Sequence, residues 1–366
     1  MIVMKKTVKI TKIVWIGITT VMIVLGLGYF LNKNMIDDEV LAAGNTDSGS
    51  SDKTIDDYFP KENYNGVAIM VEGDKVTSTA VYGYSDYEAN KVNNLDTLFP
   101  VASLQKMMTA TLVAKEISKG KLTYETPLSD FYPDIKGSSD ITIRDLIDQT
   151  SGIKMDEVAP DKVLTTQEDQ INYVLDTLEI TGETGFNYTN ANYSLLAGIL
   201  STVTGESYEE LFTKEIIEPL NLSHTFFWDN VAEEDVAKAY NSSLLYGDYT
   251  ESASDFSRSK ALYSSLIGAG NVLMSANDLV TFVQALIDGT LITKEDFSNM
   301  VKSDNDYSGA FWQTDGCLQT NGSLGDYESS VFLDNDGENI IILISNGHEL
   351  DSLSDLASDI YKSHFA

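Results

Sequence analysis

Cysteine is almost absent from this 366-residue chain: Cys317 stands alone, which excludes an intrachain disulfide. Histidine is nearly as scarce. His224, His348 and His364 form no ligand-spaced pair and read as ordinary core or surface residues, so metal chemistry has little to work with. So few histidines also give a Ser-His-Asp triad weak support, and no Gly-x-Ser-x-Gly elbow occurs. Basic residues are outnumbered, 24 Lys and Arg against 56 Asp and Glu, for a net charge of −32. That balance excludes nucleic acid and other polyanions held through their phosphates. No internal repeat appears. The cluster Asp334-Asn335-Asp336-Gly337 imitates the start of a calcium loop but lacks the glutamate that would close it. Two apolar runs flank it, so it reads as a hairpin turn, and neither metal nor cofactor is expected.

What the chain does have begins at its N-terminus. Lys5, Lys6, Lys9 and Lys12 form a basic segment over residues 1–12, ahead of an uncharged apolar run from Ile13 to Leu31. A run of that length spans a bilayer, and the lysine asymmetry keeps the N-terminus cytoplasmic and the rest outside. A cleavable signal peptide cut near Ala42-Ala43-Gly44 is the rival. The run is long for a signal core and those small residues lie far downstream, which favours an anchor over residues 13–31. Residues 32–57, with the polar Gly44 to Asp52 tract, read as an extracellular linker, and residues 58–366 as the globular domain.

That domain opens with Gly66 to Glu72, a Gly73-Asp74 turn and Lys75 to Gly83, a strand–hairpin–strand pattern. It closes with Ser329 to Asp334, Asn339 to Ser345 and a helical pattern through Leu350, Leu353, Leu356, Ile360 and Phe365. Helical candidates between them are Ala191 to Val203, Tyr208 to Ile217 and Ala276 to Ile287. Strands at both ends around helices predict an α/β (α+β) fold, one antiparallel sheet made from the two termini.

The chemistry centres on Phe99-Pro-Val-Ala-Ser103-Leu-Gln-Lys106, which leads into an apolar helical run. Three residues apart on a helix, Ser103 and Lys106 share one face. A serine hydroxyl is a weak nucleophile that needs a base and a stabilised oxyanion, and a desolvated lysine one turn away supplies the base. Ser50, Ser118, Ser151 and Ser257 each also precede a lysine by three residues, but only Ser103 opens a helix that reads as amphipathic. The one Tyr-x-Asn of the chain, Tyr188-Thr-Asn190, precedes a second helix. It reads either as a proton-relaying phenol or as a helix cap, with Asn190 capping and Tyr188 packed beneath.

Together with Arg144-Asp-Leu-Ile-Asp-Gln-Thr150-Ser151-Gly152, Pro219-Leu-Asn-Leu, Gly268-Ala-Gly270 and Thr320-Asn-Gly322-Ser-Leu-Gly-Asp-Tyr327, these pieces stand in a telling order. Over about Tyr58 to Ala366 the chain resembles the β-lactamase-related serine hydrolases. That group includes class C β-lactamases, D-alanyl-D-alanine carboxypeptidases and teichoic acid D-alanyl esterases. The resemblance implies an antiparallel sheet flanked by helices, with a helical subdomain and the active site between them. It implies Ser103 as nucleophile, Lys106 as base, Tyr188 sharing proton transfer, and Asn190 orienting the substrate and holding Lys106. The N–H groups of Ser103 and Ser323 would form the oxyanion hole, and Thr320, Asn321, Gly322 and Ser323 would border the substrate. Family members carry lysine or histidine where this chain has Thr320, a residue that helps bind a substrate carboxylate.

An uncharged position there suits an ester without a carboxylate, such as D-alanyl esters of envelope polymers, whose ammonium groups also suit an acidic protein. The alternatives are a DD-carboxypeptidase or penicillin-binding protein with a degenerate third motif, and a non-catalytic binding or immunity protein. The anchor sets a topological expectation: protease added to wall-stripped cells removes residues 58–366 from the outer surface. Protection of the domain would place it in the cytoplasm.

Overall fold

A computed structural model describes residues 46–47, 54–59, 64–241, 249–314 and 316–365. The proposed span, 13–31, and the signal-peptide rival lie outside the described residues. Among the described residues no helix is long and apolar enough to cross a membrane.

The termini do build one sheet. Tyr64–Glu72 and Lys75–Tyr82 form a hairpin, and Tyr64–Glu72 pairs antiparallel with Asn339–His348 near the chain's other end. From there the sheet continues through Tyr327–Asp334, Cys317–Leu324, Phe311–Thr314 and Tyr307–Ser308, every neighbour antiparallel. The run Ile340-Ile-Ile-Leu-Ile344 is buried throughout because both faces of the sheet are covered. Ile340, Ile342 and Ile344 enter the main core, as do Val331 and Leu333 on the next strand. Phe332, between those two, meets Tyr361 of the C-terminal helix Leu353–Phe365 at 4.9 Å between rings. The Asp334–Gly337 cluster is the hairpin turn expected: Asp334 Oδ1 accepts from Glu338 N and Oδ2 from Asn339 Nδ2.

Two expectations need correction. Residues 32–57 are not linker throughout: Thr46–Asp47 pairs with Lys75–Tyr82, and Ile55 is fully buried with its N–H on Ser78 Oγ. A polar tract still carries backbone donors and acceptors, and an open sheet edge takes them. The helix after Ser103, Gln105–Ser118, is not amphipathic either. It is buried from Gln105 to Ala114, because the helices Asn190–Thr204 and Lys294–Val301 pack on it and its apolar side chains share one core with Val67, Ile69 and Val331 of the sheet. A helix enclosed on all sides has no solvent face for polar residues to mark.

The helical half is tied to the sheet's far edge at Asp148, next to the short helix Ile143–Ile147. Its carboxylate accepts from Ser308 Oγ at 2.5 Å and lies 3.5 Å from Arg144 Nη1. Burial outweighs both contacts and pushes the carboxyl from 3.8 up to about 6. A raised carboxyl pKa means the folded state holds the proton more tightly than the unfolded chain. The associated stability is full below 3.8 and is lost as pH rises through about 6. Asp148→Asn keeps the acceptor for Ser308 without the titration. The variant's urea midpoint, relative to wild type, should therefore rise between pH 4 and pH 7; an unchanged or falling difference refutes the assignment.

Candidate active site

Ser103 sits where the chain leaves the short strand Phe99–Pro100 and enters a turn of 3-10 helix, Ala102–Leu104, ahead of the long helix. Ala102, just before it, has φ +46°, a left-handed conformation that costs a side-chain-bearing residue roughly 1–2 kcal/mol. Such strain persists only where the surroundings impose it, and here it sits one residue from the serine. On the sheet side Gly322 supplies the fit. A Cβ there would stand 2.3 Å from Val101 O, 2.6 Å from Ser329 Oγ and 3.2 Å from Ser103 N, so only glycine lets the strand lie against the serine's amide.

Ser103 Oγ has two polar partners, Lys106 Nζ and Tyr188 Oη, each at 2.8 Å. Lys106 is fully buried. Its Nζ also donates to Asn190 Oδ1 at 2.8 Å and to Ala269 O at 2.9 Å, so the three donors of an ammonium are all matched. The Tyr188 ring lies 4.9 Å from the same nitrogen. Tyr188 is 42% exposed, while Tyr193 and Tyr307 behind it are buried, and burial pushes both of those phenols well above their usual range. Of the three, only Tyr188 opens to the cleft.

The cap reading of Tyr188-Thr-Asn190 is corrected here. Thr189, not Asn190, caps the helix Asn190–Thr204, its side chain accepting from Ala191 N. That frees Asn190 to point inward, where its amide bridges Lys106 and, through Nδ2, Glu157 Oε2 at 2.6 Å. Gln149, held at φ +60°, clamps the turn: its Oε1 accepts from Thr189 N and its Nε2 donates to Thr189 O, both at 3.1 Å.

The third segment places Ala269. Gln105 Nε2 donates to Asn271 Oδ1 at 3.0 Å, and Thr109 Oγ1 donates to Gly268 O at 2.6 Å, binding the 268–271 turn to the serine's own helix. Sequence reading had the Gly268-Ala-Gly270 and Gln149 stretches as landmarks but gave Ala269 and Gln149 no role. Ala269 acts through its carbonyl, which leaves no side-chain signal, and Glu157 is one acid among 56.

A cleft of about 400 Å³ opens beside Ser103, lined among others by Glu157, Tyr188, Trp312, Asn321, Ser323 and Glu328. Thr320 does not line it. It is buried on the Gly322 face of the strand, while Asn321 and Ser323 alternate toward the other side. Among the described lining residues two are carboxylates and none is cationic. Glu328 lies 3.0 Å from His348 Nε2, Glu72 3.7 Å from His364 Nε2 and Asp96 3.9 Å from His224 Nδ1, so each histidine stands beside a carboxylate.

A serine whose hydroxyl is shared by a buried lysine and a tyrosine, on this sheet-and-helix scaffold, makes the chain a serine hydrolase. A family model described as beta-lactamase matches residues 52–360, and the chain belongs to that family. Bacillus subtilis PbpX, named for penicillin binding, is 27% identical over 374 residues, covering 94% of this chain and 92% of that protein. Teichoic acid D-alanine hydrolase of Staphylococcus aureus is 30% identical over 238 residues, 63% of this chain and 57% of that protein. In structure, FmtA from Staphylococcus aureus superposes with a TM-score of 0.73 at 21% identity, covering 91% of this chain and 93% of the other, which attests the shared fold.

The geometry generates a paired prediction. A fluorophosphonate should label Ser103, and Ser103→Ala should abolish the label. Lys106→Ala and Tyr188→Phe should each slow labelling by roughly 10²–10⁴-fold, and because both groups act on one oxygen the double variant should fall well short of the product. Full multiplicativity would show two independent roles.

Proposed function

We propose that this chain is a membrane-anchored extracellular serine esterase that removes D-alanyl or similar acyl groups from envelope polymers such as teichoic acids. The observation that carries the reading is the charge of the cleft: Glu157 and Glu328 line it, and no described lining residue is cationic. A ligand bearing a free carboxylate meets like charge and leaves its own carboxylate unpaired, a penalty of roughly 1–3 kcal/mol or more. An ester bearing an ammonium meets complementary charge. The relative named teichoic acid D-alanine hydrolase supports the same substrate class.

In this reading the chemistry proceeds in two halves. Ser103 Oγ attacks the ester carbonyl, and its proton passes to the Lys106–Tyr188 pair. That pair reacts from the form in which the phenol has given up its proton and the lysine is the ammonium, both groups standing 2.8 Å from Oγ. The N–H groups of Ser103 and Ser323 face the oxygen that gains charge in the tetrahedral intermediate. Tyr188, open to the cleft, returns a proton to the departing alcohol oxygen, leaving Ser103 acylated. Water then attacks the acyl-enzyme, giving up a proton to the same pair, and the serine oxygen leaves with that proton restored. Asn190 holds Lys106 in line throughout.

A DD-peptidase reading is favoured by one observation, the match to PbpX along 92% of that protein. The two separate by experiment. Wild type should release D-alanine from D-alanylated lipoteichoic acid at least tenfold faster than it is acylated by a fluorescent penicillin or cleaves a D-Ala-D-Ala peptide, and Ser103→Ala should do none of these. Rapid acylation by penicillin and cleavage of the D-Ala-D-Ala peptide, without D-alanine release from the lipoteichoic acid, would establish the DD-peptidase instead.

A further inference from the structure

The two cleft carboxylates are not equivalent. Glu328 already has a partner, His348 Nε2 at 3.0 Å. Glu157 has only the Asn190 amide, on Oε2. Among the described residues its Oε1 takes no hydrogen bond and neither oxygen has a cationic partner. An exposed carboxylate needs no partner for its own stability, but this one is fixed by a 2.6 Å bond and lines the same cleft as the nucleophile. The connection is short. Ser103 Oγ, Lys106 Nζ, Asn190 and Glu157 form one chain of three hydrogen bonds of 2.8, 2.8 and 2.6 Å.

In an α-aminoacyl ester the ammonium nitrogen stands about 2.5 Å from the carbonyl carbon, as two backbone-type bonds require. The group that recognises it must therefore lie close to the attacked carbon, just past the lysine's first partner. Glu157 lines the cleft with Ser103 and bonds Asn190, the residue that holds Lys106. Its free oxygen supplies a charge-assisted acceptor, while Tyr188 and Trp312, lining the same cleft, add aromatic faces of the kind that attract ammonium ions.

We propose that Glu157 is the specificity residue of this site, binding the α-ammonium group of an aminoacyl ester substrate; this rests on the esterase reading above and names how the amine is recognised. The ammonium donates to Glu157 Oε1 while Oε2 keeps the Asn190 bond, so one carboxylate seats the substrate and steadies the residue that holds Lys106. An ester whose acyl group lacks the amine gains nothing from Glu157. An N-acylated one loses the charge and adds bulk where the carboxylate stands.

The test uses the full chain and two esters of one fluorogenic alcohol, D-alanyl and propionyl, which differ only in the ammonium group. Wild type should favour the D-alanyl ester in kcat/KM, and the preference should fade as pH rises past the amine's pKa, near 8. Glu157→Gln should cut kcat/KM for the D-alanyl ester by roughly 10–100-fold, the scale of a lost hydrogen bond to a charged group. Glutamine keeps an oxygen for the Asn190 bond, so the propionyl ester should lose at least about fivefold less than the D-alanyl ester, and Glu157→Asp should recover part of the preference. Equal losses on both esters would show that Glu157 only positions Asn190, and an unchanged preference would show no role in recognition; either result overturns the proposal while the esterase reading stands. Failure of wild type to hydrolyse either ester, with acylation by penicillin intact, would defeat the esterase reading and this proposal with it.

Discussion

The buried ammonium of Lys106 is the constraint around which the rest of the site is arranged. Taking a lysine charge out of water costs several kcal/mol unless its donors are matched. Here the match comes from three separate stretches of chain: Ser103 on its own helix, Asn190 on the helix Asn190–Thr204, and the carbonyl of Ala269 in the turn after Leu266. Each stretch is therefore tied to the others. Gln105 and Thr109 hold the 268–271 turn, Gln149 holds Thr189, and Gly322 lets the sheet close on Ser103 N. A lysine placed this way converts the packing of the whole molecule into the alignment of one nitrogen with one oxygen.

Charge is arranged on two scales. Over the whole chain, the net charge of −32 makes an acidic, well-hydrated coat that disfavours contacts made through phosphate groups. Within the cleft the same sign recurs at Glu157 and Glu328, where it bears on what binds rather than on hydration. The only described cation near Ser103 is Lys106, and its donors are already taken by protein atoms. A substrate carboxylate finds no free cation among the described lining residues.

Local signals led a long way here. The Gly73-Asp74 turn between two β-rich runs and the Asn335 to Glu338 turn between two others both became hairpins at the expected place, because register in a hairpin is set within a dozen residues. The helices expected at Ala191 to Val203 and Ala276 to Ile287 are Asn190–Thr204 and Ala276–Asp288. Tyr208 to Ile217 proved less regular, its second half a wider π turn. Ser103 and Lys106 were legible because helix geometry alone brings residues three apart together. Where reading by neighbourhood failed, the deciding partner was remote. By its neighbours alone Asn190 suggests a cap as readily as a site residue, because Lys106, 84 residues away, is not visible in the local pattern; only the family resemblance implied that it holds Lys106. Thr320, expected to border the substrate, is buried beside Gly322 on the strand face that meets Ser103 and is not itself among the described lining residues.

By itself the sequence determined the elements and their chemistry: two terminal hairpins, the helices between them, a serine with a lysine one turn on, a tyrosine ahead of an asparagine, and a strand glycine where bulk would not fit. These follow from interactions reaching only a few residues along the chain, through dihedral preference, period and turn chemistry. Tertiary structure alone decided that the lysine's third acceptor is a backbone carbonyl, that Thr189 caps so that Asn190 can turn inward, and that Glu157 stands at the nucleophile's cleft. Those outcomes depend on which surfaces meet when distant segments pack, and a backbone carbonyl or one acid among many leaves no mark in the order of residues.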